Sequence, residues 1–264
     1  MKPLHFLTTS DNYRIAYRLE GPSNGPVLLL ANSLGTSMHM WDNVMSELTA
    51  RYRILRFDIR GYSESDAPEG EYTMDRIGQD IIELLDQLGL MRINMLGLSF
   101  GGLIVQWLAI NHPQRVKRLI IANSTSHLGT KKWWNQLITD TTGKADLSDL
   151  ADTFLHNWFS PEMLKSKAET IESFRKDLLA IRWQGYVGTF AAHRDADYRE
   201  ADRRITAPTL VIAGADDPVC LPSHSQQIAA VIPGATLITL PVRHISNVER
   251  PDLFLKAVNG FLAR

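Results

Sequence analysis

The chain carries a single cysteine, Cys220, in 264 residues. A lone cysteine excludes an internal disulfide and leaves no thiolate pair for a metal, so its place in a loop with Pro218 and Pro222 reads as apolar filling. No stretch reaches the ~18 apolar residues of a membrane-spanning helix. The run Leu4 to Leu7 behind Met1-Lys2-Pro3 is too short for the hydrophobic segment of a secretion signal, and the expected location is the cytoplasm. Neither sign of charge dominates: 28 Lys and Arg stand against 29 Asp and Glu, a net charge of -1, without long runs. That balance argues against nucleic acid and against a membrane surface as partners, and points to a small neutral or singly charged ligand. The Gly-x-Gly-x-x-Gly spacing of a dinucleotide-binding turn is missing, and no internal repeat or low-complexity tract appears.

What is present is a hydrophobic content of 44%, enough for one large core. Val27 to Ala31, Ile93 to Leu96, Val116 to Ala122 and Thr209 to Ala213 are apolar without alternation, the pattern of strands covered on both faces. Leu4 to Thr8 and Tyr13 to Glu20, around the turn signal Ser10-Asp11-Asn12, read as an antiparallel edge; Tyr52 to Phe57 and Ala235 to Leu240 read as further strands. Helical spacing of apolar residues marks Trp41 to Ala50, Thr73 to Leu88, Leu103 to Ile110, Ser225 to Val231 and Leu253 to Phe261. Strands alternating with helices imply an α/β fold with a doubly wound, mostly parallel sheet. From about Asn123 to Arg203 the pattern is helical, and four of the six tryptophans, Trp133, Trp134, Trp158 and Trp183, fall there. We therefore expect one core domain from residues 1–126 and 204–264, with residues 127–203 inserted as a helical cap.

Gly97-Leu98-Ser99-Phe100-Gly101 joins a strand to a helix and reads Gly-x-Ser-x-Gly. A serine at the apex of so tight a turn is pushed out of the sheet, and the flanking glycines let strand and helix pass close together. A serine hydroxyl is a weak nucleophile until an imidazole takes its proton, and the imidazole needs a carboxylate to hold its tautomer. Of the eight histidines, His244 alone follows the last strand. Six of the others read as edge-strand (His5), helix-end (His112), cap (His127, His156, His193) and helix-start (His224) residues. Gly214-Ala215-Asp216-Asp217-Pro218 follows the preceding strand and offers two neighbouring acids, of which Asp217 is favoured. Serine, acid and histidine then stand in the chain order of hydrolases with this turn. The oxyanion formed on attack at a carbonyl needs two backbone donors, expected from Phe100, next to the nucleophile, and from Leu34 in the turn Asn32 to Ser37.

These residues carry a resemblance. The chain resembles an α/β-hydrolase and, over nearly its whole length, is similar to the 3-oxoadipate enol-lactonases. The segments that carry it are Asn32-Ser33-Leu34-Gly35-Thr36 with Met40-Trp41-Asp42, Arg56-Phe57-Asp58-Ile59-Arg60-Gly61, Gly97 to Gly102, and His244-Ile245-Ser246-Asn247-Val248-Glu249-Arg250. The resemblance implies a catalytic triad of Ser99, Asp217 and His244, no cofactor and no metal, and a small ester or lactone opened through an acyl-enzyme. It also implies Trp134 as a pocket aromatic and a basic anchor for a substrate carboxylate near His127, with Lys131, Lys132, Arg182 or Arg243 as substitutes. A broad carboxylesterase on small neutral esters is the alternative on the same machinery, and a cofactor-free perhydrolase a further one; the oligomeric state stays open.

Overall fold

A computed structural model describes residues 3–263; Met1 and Lys2, part of the N-terminus read above, lie outside the described residues, as does Arg264. Its sheet contains β1 (His5–Thr8), β2 (Arg14–Glu20), β3 (Val27–Ala31), β4 (Arg53–Phe57), β5 (Ile93–Leu98), β6 (Val116–Ala122), β7 (Thr209–Gly214) and β8 (Thr236–Leu240). The spatial order is β1-β2-β4-β3-β5-β6-β7-β8. β1 and β2 form the expected antiparallel edge, and β2 also runs antiparallel to β4; the remaining pairs are parallel. Along the chain the order turns back at β3, whose neighbours are β4 on one side and β5 on the other. Ala31, at the end of β3, lies opposite Gly97 of β5, so the two loops that leave these strands start side by side. Open α/β sheets bind ligands at such a switch point.

Helices α1 (Asp42–Thr49), α2 (Met74–Gln87) and α3 (Phe100–Asn111) cover the first strands. Helix α2 is capped by the Thr73 hydroxyl, which accepts from the Arg76 amide, and it buries Met74, Ile77, Ile81, Leu84 and Leu85 along one stripe. Helix α3 starts three residues earlier than its apolar spacing suggests and is buried from Phe100 to Ile110, which explains why it shows no polar face. Between β6 and β7 lie α4 (Lys131–Thr141), α5 (Ser148–Trp158), α6 (Pro161–Ser166), α7 (Ala168–Ala180) and α8 (Trp183–Asp195). Helix α9 (Pro222–Val231) begins at a proline, which suits a first helical position. The short α10 (Ser246–Glu249) was not expected from the sequence, and α11 (Pro251–Leu262) closes the chain. No helix among the described residues is long and apolar enough to cross a membrane.

The inserted helices leave the sheet near Ser126 and return near Asp202, and these two residues bond to each other. The Ser126 hydroxyl donates to Asp202 Oδ2, and the Tyr198 amide donates to the Ser126 carbonyl at 2.8 Å. Asp202 is fully enclosed, and its Oδ1 has no hydrogen-bond partner among the described residues. Burial pushes its carboxyl up to about 6, against the bond from Ser126. The folded protein therefore holds this proton more tightly than the unfolded chain, whose carboxyl titrates near its ordinary value. Stability from that proton is complete at low pH and is lost as pH rises through about 6. The unfolding free energy of wild type, measured against Asp202→Asn by urea denaturation, should fall by about 3 kcal/mol between about pH 4 and pH 7. A constant difference across that range would count against this assignment.

Candidate active site

Ser99 sits between β5 and α3 with φ 57° and ψ −117°, a backbone conformation that costs on the order of 1–3 kcal/mol for a side chain with Cβ. Surrounding bonds hold it there. The Ser99 amide donates to the Ala122 carbonyl at 2.9 Å, while the Ser99 carbonyl accepts from the Gly102 amide at 2.8 Å and the Ser124 hydroxyl at 2.7 Å. The glycines on either side are required by space. A Cβ at Gly97 would lie 2.0 Å from the Gly101 carbonyl oxygen, and one at Gly101 would lie 2.0 Å from that of Ala31.

The Ser99 hydroxyl lies 2.8 Å from Nε2 of His244. On the other side of the ring, Nδ1 is 2.8 Å from Asp217 Oδ2 and 3.0 Å from Oδ1. An ionised carboxylate can only accept, so the imidazole proton belongs on Nδ1 and Nε2 is left bare toward the serine. The two neighbouring acids part company here. Asp216 is exposed, whereas Asp217 is buried and also accepts from Asn123 Nδ2 at 3.1 Å and from the amides of Val219 and Cys220 at 2.9 and 3.0 Å. Burial works to raise the Asp217 pKa, but the charge and N–H of His244, with Asn123 and the Val219 amide, hold the carboxyl below its usual range.

Leu34 lies in the turn after β3, beside the serine. The amide of Phe100, first residue of α3, has no intrahelical acceptor, and the bond closing the turn runs from Thr36 to Ser33 and leaves Leu34 out. The turn is fastened from several directions. Asn32 donates through Nδ2 to the Phe57 carbonyl at 2.7 Å and accepts from Trp41 Nε1 at 2.8 Å. Asp58 accepts from the Met38 amide at 2.7 Å, and Asn247 donates to the Met40 carbonyl at 2.7 Å. Glu249, near the C-terminus, accepts from the Arg243 amide at 2.6 Å and so fixes the loop that carries His244. Asn32, Trp41, Asp58, Asn247 and Glu249 come from three of the four segments that carried the sequence resemblance, and their bonds fix the turn after β3 and the loop that carries His244.

A cavity of about 540 Å³ opens above Ser99 and His244. Leu34 and Ser33 form part of its wall, α4 supplies Trp134 and Leu137, α5 supplies Leu150, Phe154 and Trp158, and α8 supplies His193. Trp134 is at once wall and packing: it is 3% exposed, and its Nε1 donates to the Leu128 carbonyl at 2.7 Å. The structure places His127 apart from the lining of this cavity, and its Nδ1 bonds the Ala196 carbonyl at 3.1 Å. None of Lys131, Lys132, Arg182 and Arg243 lines it either. His193, read from sequence as one more cap histidine, lines the cavity together with Ser99 and His244. Nothing in the local pattern of α8, buried on most sides from Gly185 to His193, marks that residue out.

A family model described as the alpha/beta hydrolase fold matches residues 26–251. The chain is 35% identical to 3-oxoadipate enol-lactonase 2 of Acinetobacter baylyi, an alignment covering 100% of this chain and 99% of that protein. Among solved structures, a hydrolase from Pseudomonas aeruginosa PA01 is 48% identical with a TM-score of 0.97, covering 99% of this chain and 98% of that one. The enol-lactonase from Burkholderia xenovorans LB400 is 32% identical with a TM-score of 0.95, covering 98% and 100%. With its eight-stranded, mostly parallel sheet, its Gly-x-Ser-x-Gly turn at the switch point and this full-length likeness, the chain belongs to the α/β-hydrolase family.

Proposed function

We propose that this protein is a serine hydrolase that opens a carboxylic ester or lactone through an acyl-enzyme, with residues 127–203 serving as a cap over the site and no cofactor taking part. The single observation that carries the proposal is the chain of contacts from Ser99 Oγ through the His244 ring to the buried carboxylate of Asp217, open to a cavity. His244 Nε2 takes the hydroxyl proton as Ser99 Oγ attacks the carbonyl carbon, and the imidazolium that forms is stabilised by Asp217. The carbonyl oxygen becomes an oxyanion received by the amides of Leu34 and Phe100. Collapse of the adduct breaks the C–O bond, and His244 gives its proton to the departing oxygen. In a lactone that oxygen stays tethered to the acyl group. Water then attacks the acyl-enzyme with His244 again as base, releasing the acid and restoring Ser99.

The substrate named for the curated relative, a 3-oxoadipate enol-lactone, is the first candidate. A specific observation favours a second reading, a small uncharged ester: among the described residues no lysine or arginine lines the cavity, and a carboxylate buried without a fixed cation is costly. Both readings need an acylated serine. An alkyl fluorophosphonate should add one phosphonyl group to Ser99, found by peptide mass mapping, and abolish hydrolysis of p-nitrophenyl acetate in proportion. Hydrolysis that persists in protein fully labelled at Ser99 would overturn the mechanism.

A further inference from the structure

His193 is not used by the hydrolytic steps, yet it shares the cavity with Ser99 and His244. It stands in the last turn of α8 and is 5% exposed. Its ring is stacked between two others, 4.5 Å from Trp134 at 28° and 5.5 Å from Phe100 at 25°. The Nδ1 atom is buried and has no hydrogen-bond partner among the described residues. A buried polar atom left unpaired is rare in folded proteins because it has lost water and gained nothing. Since Nδ1 is itself enclosed, the part of His193 that meets the cavity is the remaining edge of the ring, against the space a substrate would fill.

The chemistry of the ring limits what it can bind. Burial pushes the His193 pKa down to about 4, with His127 and His244 adding to the effect, so the imidazole is uncharged at neutral pH. A neutral imidazole offers one N–H donor and one bare nitrogen, a match for an uncharged polar group and a poor counterion. Two ring neighbours in the cavity, Trp134 and His244, cannot take that role. Trp134 has committed Nε1 to the Leu128 carbonyl, and His244 faces Asp217 and Ser99 with its two nitrogens. The cations nearby are engaged outside the cavity, Lys131 with Asp195 at 3.4 Å and Arg194 with Glu71 at 2.8 Å.

We propose that His193 is a specificity-determining residue that hydrogen-bonds a second, uncharged oxygen of the substrate, a ketone, ether or hydroxyl, so that the enzyme selects neutral oxygenated esters and lactones over those bearing a carboxylate. This rests on the hydrolytic reading of Ser99 and adds the substrate class. The ring stack fixes the direction of the imidazole, and the walls formed by Leu34, Leu137 and Trp134 supply the apolar remainder of the subsite.

The test compares kcat/KM for methyl esters of 3-, 4- and 5-oxo acids, for plain methyl esters of the same lengths, and for the matching monomethyl esters of dicarboxylic acids, each divided by its rate of alkaline hydrolysis. In wild type the best oxo ester should exceed its plain counterpart at least tenfold and the carboxylate-bearing ester at least a hundredfold. His193→Phe keeps an aromatic ring in the stack and removes the hydrogen bond, so the oxo-to-plain ratio should drop to near one. His193→Gln, which restores a donor and an acceptor, should recover part of it. If His193→Phe does not fold, the wild-type ratios and His193→Gln decide. A wild-type preference for the carboxylate-bearing ester, or a ratio that stays the same in either variant, overturns the proposal. Failure to hydrolyse any of these esters, together with no phosphonate label on Ser99, would instead overturn the hydrolytic reading on which it rests.

Discussion

Ser99→Ala is expected to lower kcat on a p-nitrophenyl ester by about a thousandfold or more while the protein stays folded. The hydroxyl is the atom that would become acylated, and no other serine, threonine or cysteine lies within hydrogen-bonding reach of His244 Nε2 among the contacts that define the site. The substitution leaves the backbone demand almost unchanged, since alanine at φ 57° bears the same strain as serine and the bonds to Ala122, Gly102 and Ser124 are made by main-chain atoms of residue 99. A loss of activity can therefore be separated from a loss of fold by circular dichroism and urea denaturation of the same samples. Activity near the wild-type level in a folded Ser99→Ala variant would remove the acyl-enzyme from consideration.

Asp217→Asn should lower the rate on the order of 10⁴-fold, while Asp216→Asn should leave it within a few-fold of wild type. The asparagine Oδ1 can still accept from the Val219 and Cys220 amides, so the loop retains its anchors. What changes is the atom facing His244. An amide NH₂ placed against Nδ1 favours the tautomer with its proton on Nε2, and that nitrogen can then no longer accept from Ser99. Asp216, exposed to solvent, has no such influence. The discriminating measurement is kcat for both single variants at one pH, with unfolding curves as the control. A large loss in Asp216→Asn with little in Asp217→Asn would show that the loop presents the other acid in solution.

Much of this architecture was open to reading in the linear chain because it follows from local and periodic constraints. A strand covered on both faces has no water-facing side, so β3, β5, β6 and β7 announce themselves as unbroken apolar runs; an amphipathic helix such as α2 declares its buried stripe by spacing alone. The turn at Ser99 was legible because a Cβ at either flanking glycine would strike main-chain oxygen, a constraint that acts within a few residues. Chain order then limited the acid and the base to two loops. The helix α3, buried all round, lost its period and its first turn was missed, and α10 was too short to have one.

The sequence by itself thus determined the sheet, the turn that exposes Ser99 and the loops from which its partners come, since these depend on burial period and on clashes between near neighbours. Only the tertiary structure decided which side chains meet. Asp217 and Asp216 differ by one position along the loop after β7, and the choice between them is made by Asn123 and His244, which lie 94 and 27 residues away in the chain. His127 and His193 are the same residue type between β6 and β7; one bonds the Ala196 carbonyl and is not part of the cavity lining, while the other stacks on Trp134 and Phe100 and is. Such outcomes are set by how α8 and the loop after β6 pack against elements far away in sequence, and a hydrogen bond between distant residues leaves no trace in the period or composition of either segment.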